Sequence, residues 1–274
     1  MPCCWDALSA RLIERAGFPL TFMSGFAVSA ARLALPDTQL ISYAEMLDTG
    51  RALCGAVSIP VIGDADTGYG NALNVKRTIA GYAQAGFAAA MIEDQLAPKR
   101  CGHTQGKDVV PRGEALARIR AAVDARDEGA GILILARTDA AAVHGLDEAL
   151  ARARAFRDAG ADILFVEAPS SEAELERVAR ALEGAPLMAN LVEGGVTPLL
   201  PPKRLEAMGF RIAAYPLTLL SVAIRAVEEA LARMHAGEHP AESARVSFAA
   251  LRELVGFDAY DAAAQRYAGD DAER

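Results

Sequence analysis

Three sets of residues in this sequence could do chemistry, and each follows a short apolar run. The first is acidic: Asp64-Ala65-Asp66, then Glu93-Asp94. Residues two apart on a strand point the same way, so the first pair could share a hard cation such as Mg²⁺, which prefers carboxylate and water oxygens. The same pair could instead cap a helix starting near Asn71. Glu93 and Asp94 favour the cation, because crowded carboxylates with no cation between them repel and raise each other's pKa. The second set is Arg137, in "ARTDA". A buried guanidinium is expensive alone, so it must meet a neighbouring carboxylate or one on a substrate. The third is Cys101, preceded by Lys99 and Arg100 and followed by Gly102 and His103. Nearby positive charge stabilises a thiolate. A charged, glycine-containing loop has little use for cysteine as packing, so a reactive acid, base or nucleophile is expected there rather than an incidental thiol.

Other segments are blander. "TGYGN" (67–71) lacks the Gly-Lys-Ser/Thr ending of a phosphate-binding loop and reads as a tight turn. Cys54 reads as a small buried helix residue, and His144, His235 and His239 as loop or surface residues. Cys3 and Cys4 are adjacent, and no pair has C-x-x-C spacing. With no signal peptide and no apolar run of membrane-spanning length, a reducing cytoplasm is expected and a membrane partner is not. The net charge of −8 and the absence of a basic patch argue against nucleic acid. An anionic substrate must therefore be held by a few local cations and amides rather than drawn in by the whole-protein field.

The elements that position these residues follow one pattern. Short, continuously apolar runs at 2–5, 20–24, 60–66, 88–94, 132–139, 162–168, 186–192 and 211–216 suit parallel strands buried on both faces. Amphipathic segments lie between them; Leu146, Ala149, Leu150, Ala153 and Phe156 share one helical face. Asp6 is placed to cap the first helix, and Ser171 with Glu174 to form a capping box. Gly17, Gly86, Gly160 and Gly209 sit where helices should end in the left-handed C′ conformation. Eight such units in order predict an α/β fold, a (β/α)8 TIM-type barrel over 1–234 with a helical tail over 235–274. The long connections after strands two and four should lie on the catalytic face.

These residues also carry a family likeness. The chain resembles the isocitrate lyase/phosphoenolpyruvate mutase superfamily over nearly its whole length, through "SGF", "LPDT", "GDADTGYGN", "IEDQ", "PKRCGH", "ARTDA", "EAP", "ANLVEGG" and "YPL". The "KRCGH" loop is similar to that of the lyase branch, which includes 2-methylisocitrate and 2,3-dimethylmalate lyases and petal-death-type enzymes. The resemblance implies a barrel whose eighth helix swaps between subunits of a homotetramer, a dimer of dimers. It implies Mg²⁺ (or Mn²⁺) on Asp64 and Asp66, with Asp37 and Glu93 joining through water. It places a small di- or tricarboxylate against Ser24, Gly25, Phe26, Arg100, Gly102, Arg137, Glu167, Asn190 and Thr197. It gives catalytic parts to Cys101 as general acid, Arg137, Glu93, Lys99 and His103. The implied reaction is retro-aldol cleavage of a 2-hydroxy acid to pyruvate and a carboxylic acid. The alternatives are hydrolysis of oxaloacetate to oxalate and acetate and, less favoured by the cysteine loop, a phosphoenolpyruvate mutase-type reaction. One departure is that relatives carry a helix before the first strand, whereas Met1-Pro2-Cys3 opens directly on it. That should bear on stability and assembly more than on catalysis, because the active face lies at the other end.

Overall fold

The computed structural model describes residues 1–102 and 106–268. Eight parallel strands run in chain order: β1 (Cys3–Cys4), β2 (Thr21–Met23), β3 (Val61–Asp64), β4 (Ala89–Glu93), β5 (Leu133–Thr138), β6 (Ile163–Val166), β7 (Leu187–Asn190) and β8 (Phe210–Ala214). A parallel bridge between Pro2 and Tyr215 joins the first strand to the last, with Tyr215 N–H donating to Met1 O at 2.9 Å. This is the expected (β/α)8 barrel; β1 to β7 lie inside their apolar runs, and β8 begins one residue before its own, at Phe210.

The period of two along each strand builds the site in layers. Phe22, Ile62, Met91, Leu135, Phe165 and Met188 all point inward and pack as one buried cluster. Two residues further along the same strands come Ser24, Asp64, Glu93, Arg137, Glu167 and Asn190. The hydrophobic layer is therefore the floor, and the polar layer above it is the catalytic face. Residues of opposite parity, such as Ile92, Ile134 and Ala136, face the helices in the larger core.

The surrounding helices are α1 (Ala7–Arg15), α2 (Gly25–Leu33), α3 (Tyr43–Ala56), α4 (Ala72–Ala85), α5 (Arg112–Ala125), α6 (Ala140–His144), α7 (Leu146–Asp158), α8 (Glu172–Ala181) and α9 (Pro202–Met208), and the chain continues into α10 (Thr218–His235). Asp6 caps α1 in a full capping box with Ser9. The box expected at α8 is only half formed: Ser171 Oγ accepts from Glu174 N–H, but the Glu174 carboxylate turns to Ser170, whose N–H donates to it at 2.6 Å. Gly86 and Gly209 end α4 and α9 at φ 100° and 112°, where a side chain would be strained. Cys54 is half-buried on α3 rather than fully buried. The chain divides into a compact unit over Met1–Leu220 and a second beginning at Ser221. The second unit contains α11 (Phe248–Val255) and α12 (Phe257–Tyr267), joined by the Arg252 guanidinium 4.0 Å above the Phe257 ring.

Candidate active site

At the C-terminal mouth of the barrel lies a cavity in which polar and apolar side chains converge, the setting usual for a small-molecule site. Phe22, Met91, Phe165 and Met188 form its floor. Ser24, Asp37, Asp64, Lys99, Arg137 and Asn190 supply its polar wall, and Val192, Pro216 and Leu217 an apolar one. Cys101 and Gly102 lie against it from the β4–α5 loop. The sequence-predicted residues Ser24, Phe26, Asp37, Asp64, Lys99, Cys101, Gly102, Arg137 and Asn190 thus converge. Gly25, Asp66, Glu93, Arg100, Glu167 and Thr197 do not line the cavity, and His103 lies outside the described residues.

The acidic side departs from the simple D-x-D picture. β3 ends at Asp64, and Asp66 sits in the following turn at φ 50°. Neither aspartate caps α4; Asn71 does, reciprocally with Asn74. Asp64 accepts the backbone N–H of Gly25 at 3.1 Å and that of Asp66 at 3.1 Å. The Gly25 amide therefore serves the carboxylate before any substrate. A side chain at Gly25 would place its Cβ 2.6 Å from Asp64 Oδ2. Ser24 caps α2 by accepting from Ala27 N–H at 3.3 Å.

Lys99 Nζ stands between Asp37 Oδ1 at 2.5 Å and Asp66 Oδ1 at 2.8 Å, all three side chains being buried. Burial opposes its charge, but Asp66 and Asp37 hold it firmly protonated. Burial, and then the charge of Asp66, push Asp64 up to about 6. Burial raises Glu93 well above the carboxylate range despite Arg137 and Lys99. These directions describe an acidic cluster short of positive charge.

Among the described residues no three His, Cys, Asp or Glu side chains stand close enough to chelate an ion. The donor set nevertheless fits Mg²⁺. Every candidate ligand is a hard oxygen. Asp66 Oδ2 and Glu93 Oε1 are buried without a hydrogen bond, while Asp37 Oδ1 and Asp66 Oδ1 face the Lys99 ammonium. Mg²⁺ binds through one or two carboxylates and keeps several waters, so a loose oxygen cluster suffices.

Across the cavity, strand register sets Glu93 opposite Arg137. Arg137 is buried and makes a two-toothed contact with Asp139, Nε to Oδ2 at 2.8 Å and Nη2 to Oδ1 at 3.0 Å. Glu93 at 3.4 Å and Glu167 at 3.6 Å complete its shell. Of the two partners open to Arg137, neighbouring carboxylates are in place, while the side chain still lines the cavity. Asn190 Nδ2 donates to Glu167 Oε1 at 3.3 Å. Thr197 is buried, with its hydroxyl unbonded.

Of the residues at the strand ends, Asp94 turns away from the acidic cluster it was expected to join, and Asp139 lies beside Arg137. Asp139, at the end of the run that carries Arg137, takes both of the guanidinium contacts described above. Burial opposes its charge, but Arg137 and Lys107 hold its carboxyl down at about 2. Asp94, of opposite parity, faces the helices and accepts from Thr138 Oγ1, Asp139 N–H and Arg152. Two glutamines grip the cysteine loop. Gln39 accepts from Lys99 N–H at 3.1 Å and donates to Thr67 at 2.6 Å; Gln95 accepts from Arg100 N–H and donates to Arg100 O. Gln39 has no sequence signal, because it arrives from a separate connection.

Gly102 lies so close to Arg137 and Glu167 that an added Cβ would sit 2.5 Å from Glu167 Oε1. Gly102→Ala should therefore lower kcat by about 10²-fold through displacement of the neighbouring cysteine. The unfolding midpoint should stay at the wild-type value. Steady-state kinetics beside a thermal melt test this, and wild-type kcat would show that the loop does not dock as described.

The phosphoenolpyruvate phosphomutase family matches residues 1–235. The chain is 41% identical over 259 residues to 2,3-dimethylmalate lyase of Eubacterium barkeri, covering 94% of this chain and 89% of the relative. It is 46% identical over 232 residues to a probable 2-methylisocitrate lyase of Corynebacterium glutamicum, covering 84% and 74%. Among solved structures, an oxaloacetate acetylhydrolase bound to 3,3-difluorooxalacetate matches with a TM-score of 0.94 at 36% identity, covering 98% of this chain and 92% of that one. A phosphonopyruvate hydrolase bound to oxalate and Mg²⁺ matches at 0.86 and 32%, covering 97% and 93%. The barrel agrees with the likeness over the whole domain, and the chain belongs to the phosphoenolpyruvate mutase/isocitrate lyase superfamily.

Proposed function

We propose that this protein is a Mg²⁺-dependent carbon–carbon lyase. Its substrate would be a 2-hydroxy di- or tricarboxylate of the 2,3-dimethylmalate or 2-methylisocitrate type, cleaved to pyruvate and a carboxylic acid. The observation that carries the reading is the placement of Cys101 on one cavity with Arg137 and the Asp37–Asp64–Lys99 cluster. Sequence likeness to two lyases supports it. Asp64 and Asp66, with Asp37 and Glu93 through water, would hold the metal, which when bound supplies positive charge to the substrate's C1 carboxylate and C2 oxygen. Arg137 orients that same end. A site carboxylate takes the C2 hydroxyl proton as the C2–C3 bond breaks, and its electron pair passes into the departing carboxylate fragment. Cys101 then donates its proton to C3 of that fragment. The closed loop excludes water while charge develops. The apolar wall of Val192, Pro216 and Leu217 suits an alkyl group at C3.

The likeness to oxaloacetate acetylhydrolase favours a second reading, hydrolysis of oxaloacetate to oxalate and acetate. One panel separates them: 2,3-dimethylmalate, 2-methylisocitrate, isocitrate and oxaloacetate, with Mg²⁺ or EDTA, assaying pyruvate and oxalate. Pyruvate from a hydroxy acid, abolished by EDTA and restored by Mg²⁺ or Mn²⁺, is the expected result. Oxalate from oxaloacetate with no pyruvate elsewhere would replace the lyase reading.

A cytoplasmic homotetramer completes the proposal. No helix among the described residues is long and apolar enough to cross a membrane, and Cys3, Cys4, Cys54 and Cys101 form no disulfide, in keeping with a reducing compartment. On α10, Ile224, Val227, Leu231 and Met234 form an exposed stripe at spacings of three and four, as expected of a helix made to pack on another surface.

A further inference from the structure

Lys107 lies five residues beyond Gly102 on the β4–α5 loop, and its side chain is only 4% exposed. Among the described residues its ammonium makes two contacts. It donates to the Gly102 carbonyl, and it pairs with Asp139 Oδ1 at 2.9 Å. Asp139 is the residue that grips Arg137 with both oxygens, and its own N–H is fixed by Asp94 at 2.9 Å. Gly102 in turn packs directly over Arg137 and Glu167. One buried cation therefore ties the backbone next to Cys101 to the carboxylate that aims Arg137. It does so without lining the substrate cavity.

We infer that Lys107 is a positioning residue that docks the Cys101–Gly102 segment onto the Arg137–Asp139 pair. Acid and guanidinium are thereby placed as one unit. This rests on the lyase reading for its kinetic consequence, though not for its structural one. A flexible lysine anchored at both ends by strong acceptors costs side-chain entropy, which is offset only if the arrangement it fixes is wanted. Two of the three N–H donors of its ammonium are taken by Gly102 and Asp139, and the side chain does not line the cavity, so it has no direct part on substrate. Loss of Lys107 should consequently misplace the acid and leave substrate binding through Arg137 in place, since Asp139, itself held by Asp94, remains.

The test compares wild type with Lys107→Met, Lys107→Gln and Lys107→Arg in the full chain. Two readouts are taken: kcat and KM on the active acid of the panel, and the rate of Cys101 alkylation by iodoacetamide, mapped by peptide mass. Cys3 and Cys4 are buried and serve as internal references. The methionine and glutamine variants should lose about 10²-fold in kcat, as expected for a displacement of about 1 Å, with KM held. Cys101 should alkylate faster in both, and arginine should restore most of both properties. Wild-type kcat and alkylation, a loss confined to KM, or a kcat loss without faster alkylation would each overturn the inference. Should the methionine variant fail to fold, the glutamine variant carries the same comparison. A wild type inactive on the whole panel would refute the lyase reading, and the alkylation rates alone would then decide the role of Lys107.

Discussion

Cys101→Ala and Cys101→Ser are each expected to lower kcat by about 10²–10⁴-fold, the usual contribution of a positioned general acid. KM and the unfolding midpoint should stay near wild type. Stability is spared because Cys101 is only partly buried and sits on a loop outside both hydrophobic clusters. Serine is the sharper variant. It keeps nearly the same volume and a proton, but its hydroxyl is a far weaker acid than a thiol of ordinary pKa ~8.5. A loss with serine nearly as deep as with alanine therefore reports proton donation rather than packing. A second readout is stereochemical. Turnover in D₂O should put a deuteron on a single face of C3 in wild type, because one group delivers it. The residual reaction of the variants should label both faces from solvent. Near-normal kcat in both variants would remove Cys101 from the mechanism, whatever the substrate proves to be.

The site's legibility in the sequence divides by the physics that places each residue. Strand parity is local, so once the eight apolar runs were recognised as strands, Ser24, Asp64, Glu93, Arg137, Glu167 and Asn190 followed as one inward layer above the apolar floor. Asp139 could have been read the same way. The turn after β3 was less legible. Asp66 leaves the strand at φ 50°, so the two aspartates do not share one strand face as the D-x-D spacing predicts. Contacts between loops were not legible at all. Gln39 holds the backbone of Lys99 from sixty positions away. Lys107 reaches Asp139 across thirty-two. Such pairs depend on how two connections fold over the barrel mouth, and nothing in the periodicity of either segment encodes it. The alternatives left open for Arg137 mark the same limit: burial demands a carboxylate, and the fold supplies Asp139 two residues on at 2.8 Å, with Glu93 from the paired strand β4 further off at 3.4 Å.

Removing Arg137 should have the largest effect on stability as well as abolishing turnover. Its guanidinium is the common counter-charge for Asp139 at 2.8 Å, Glu93 at 3.4 Å and Glu167 at 3.6 Å, all nearly inaccessible to water. Arg137→Met would leave that cluster without its central cation. Breaking a buried pair from one side costs about 3–5 kcal/mol, equivalent to a fall of roughly 10 °C in Tm for a chain of this size. Part of the loss can be relieved by proton uptake, since burial already raises Glu93. The destabilisation of Arg137→Met should accordingly be smaller at pH 5 than at pH 8. Arg137→Lys separates charge from geometry. An ammonium restores the counter-charge but cannot reproduce the paired contact with Asp139, nor the planar stacking over Phe165, where the Arg137 Cζ lies 5.3 Å from the ring centroid. Lysine should recover much of the Tm and little of kcat/KM. Urea or thermal unfolding at the two pH values, run beside steady-state kinetics, tests both parts. If Arg137→Met unfolded at the wild-type midpoint, the carboxylates would not depend on this guanidinium. If Arg137→Lys regained activity together with stability, Arg137 would act as a charge alone, and the orientation assigned to its fork would be wrong.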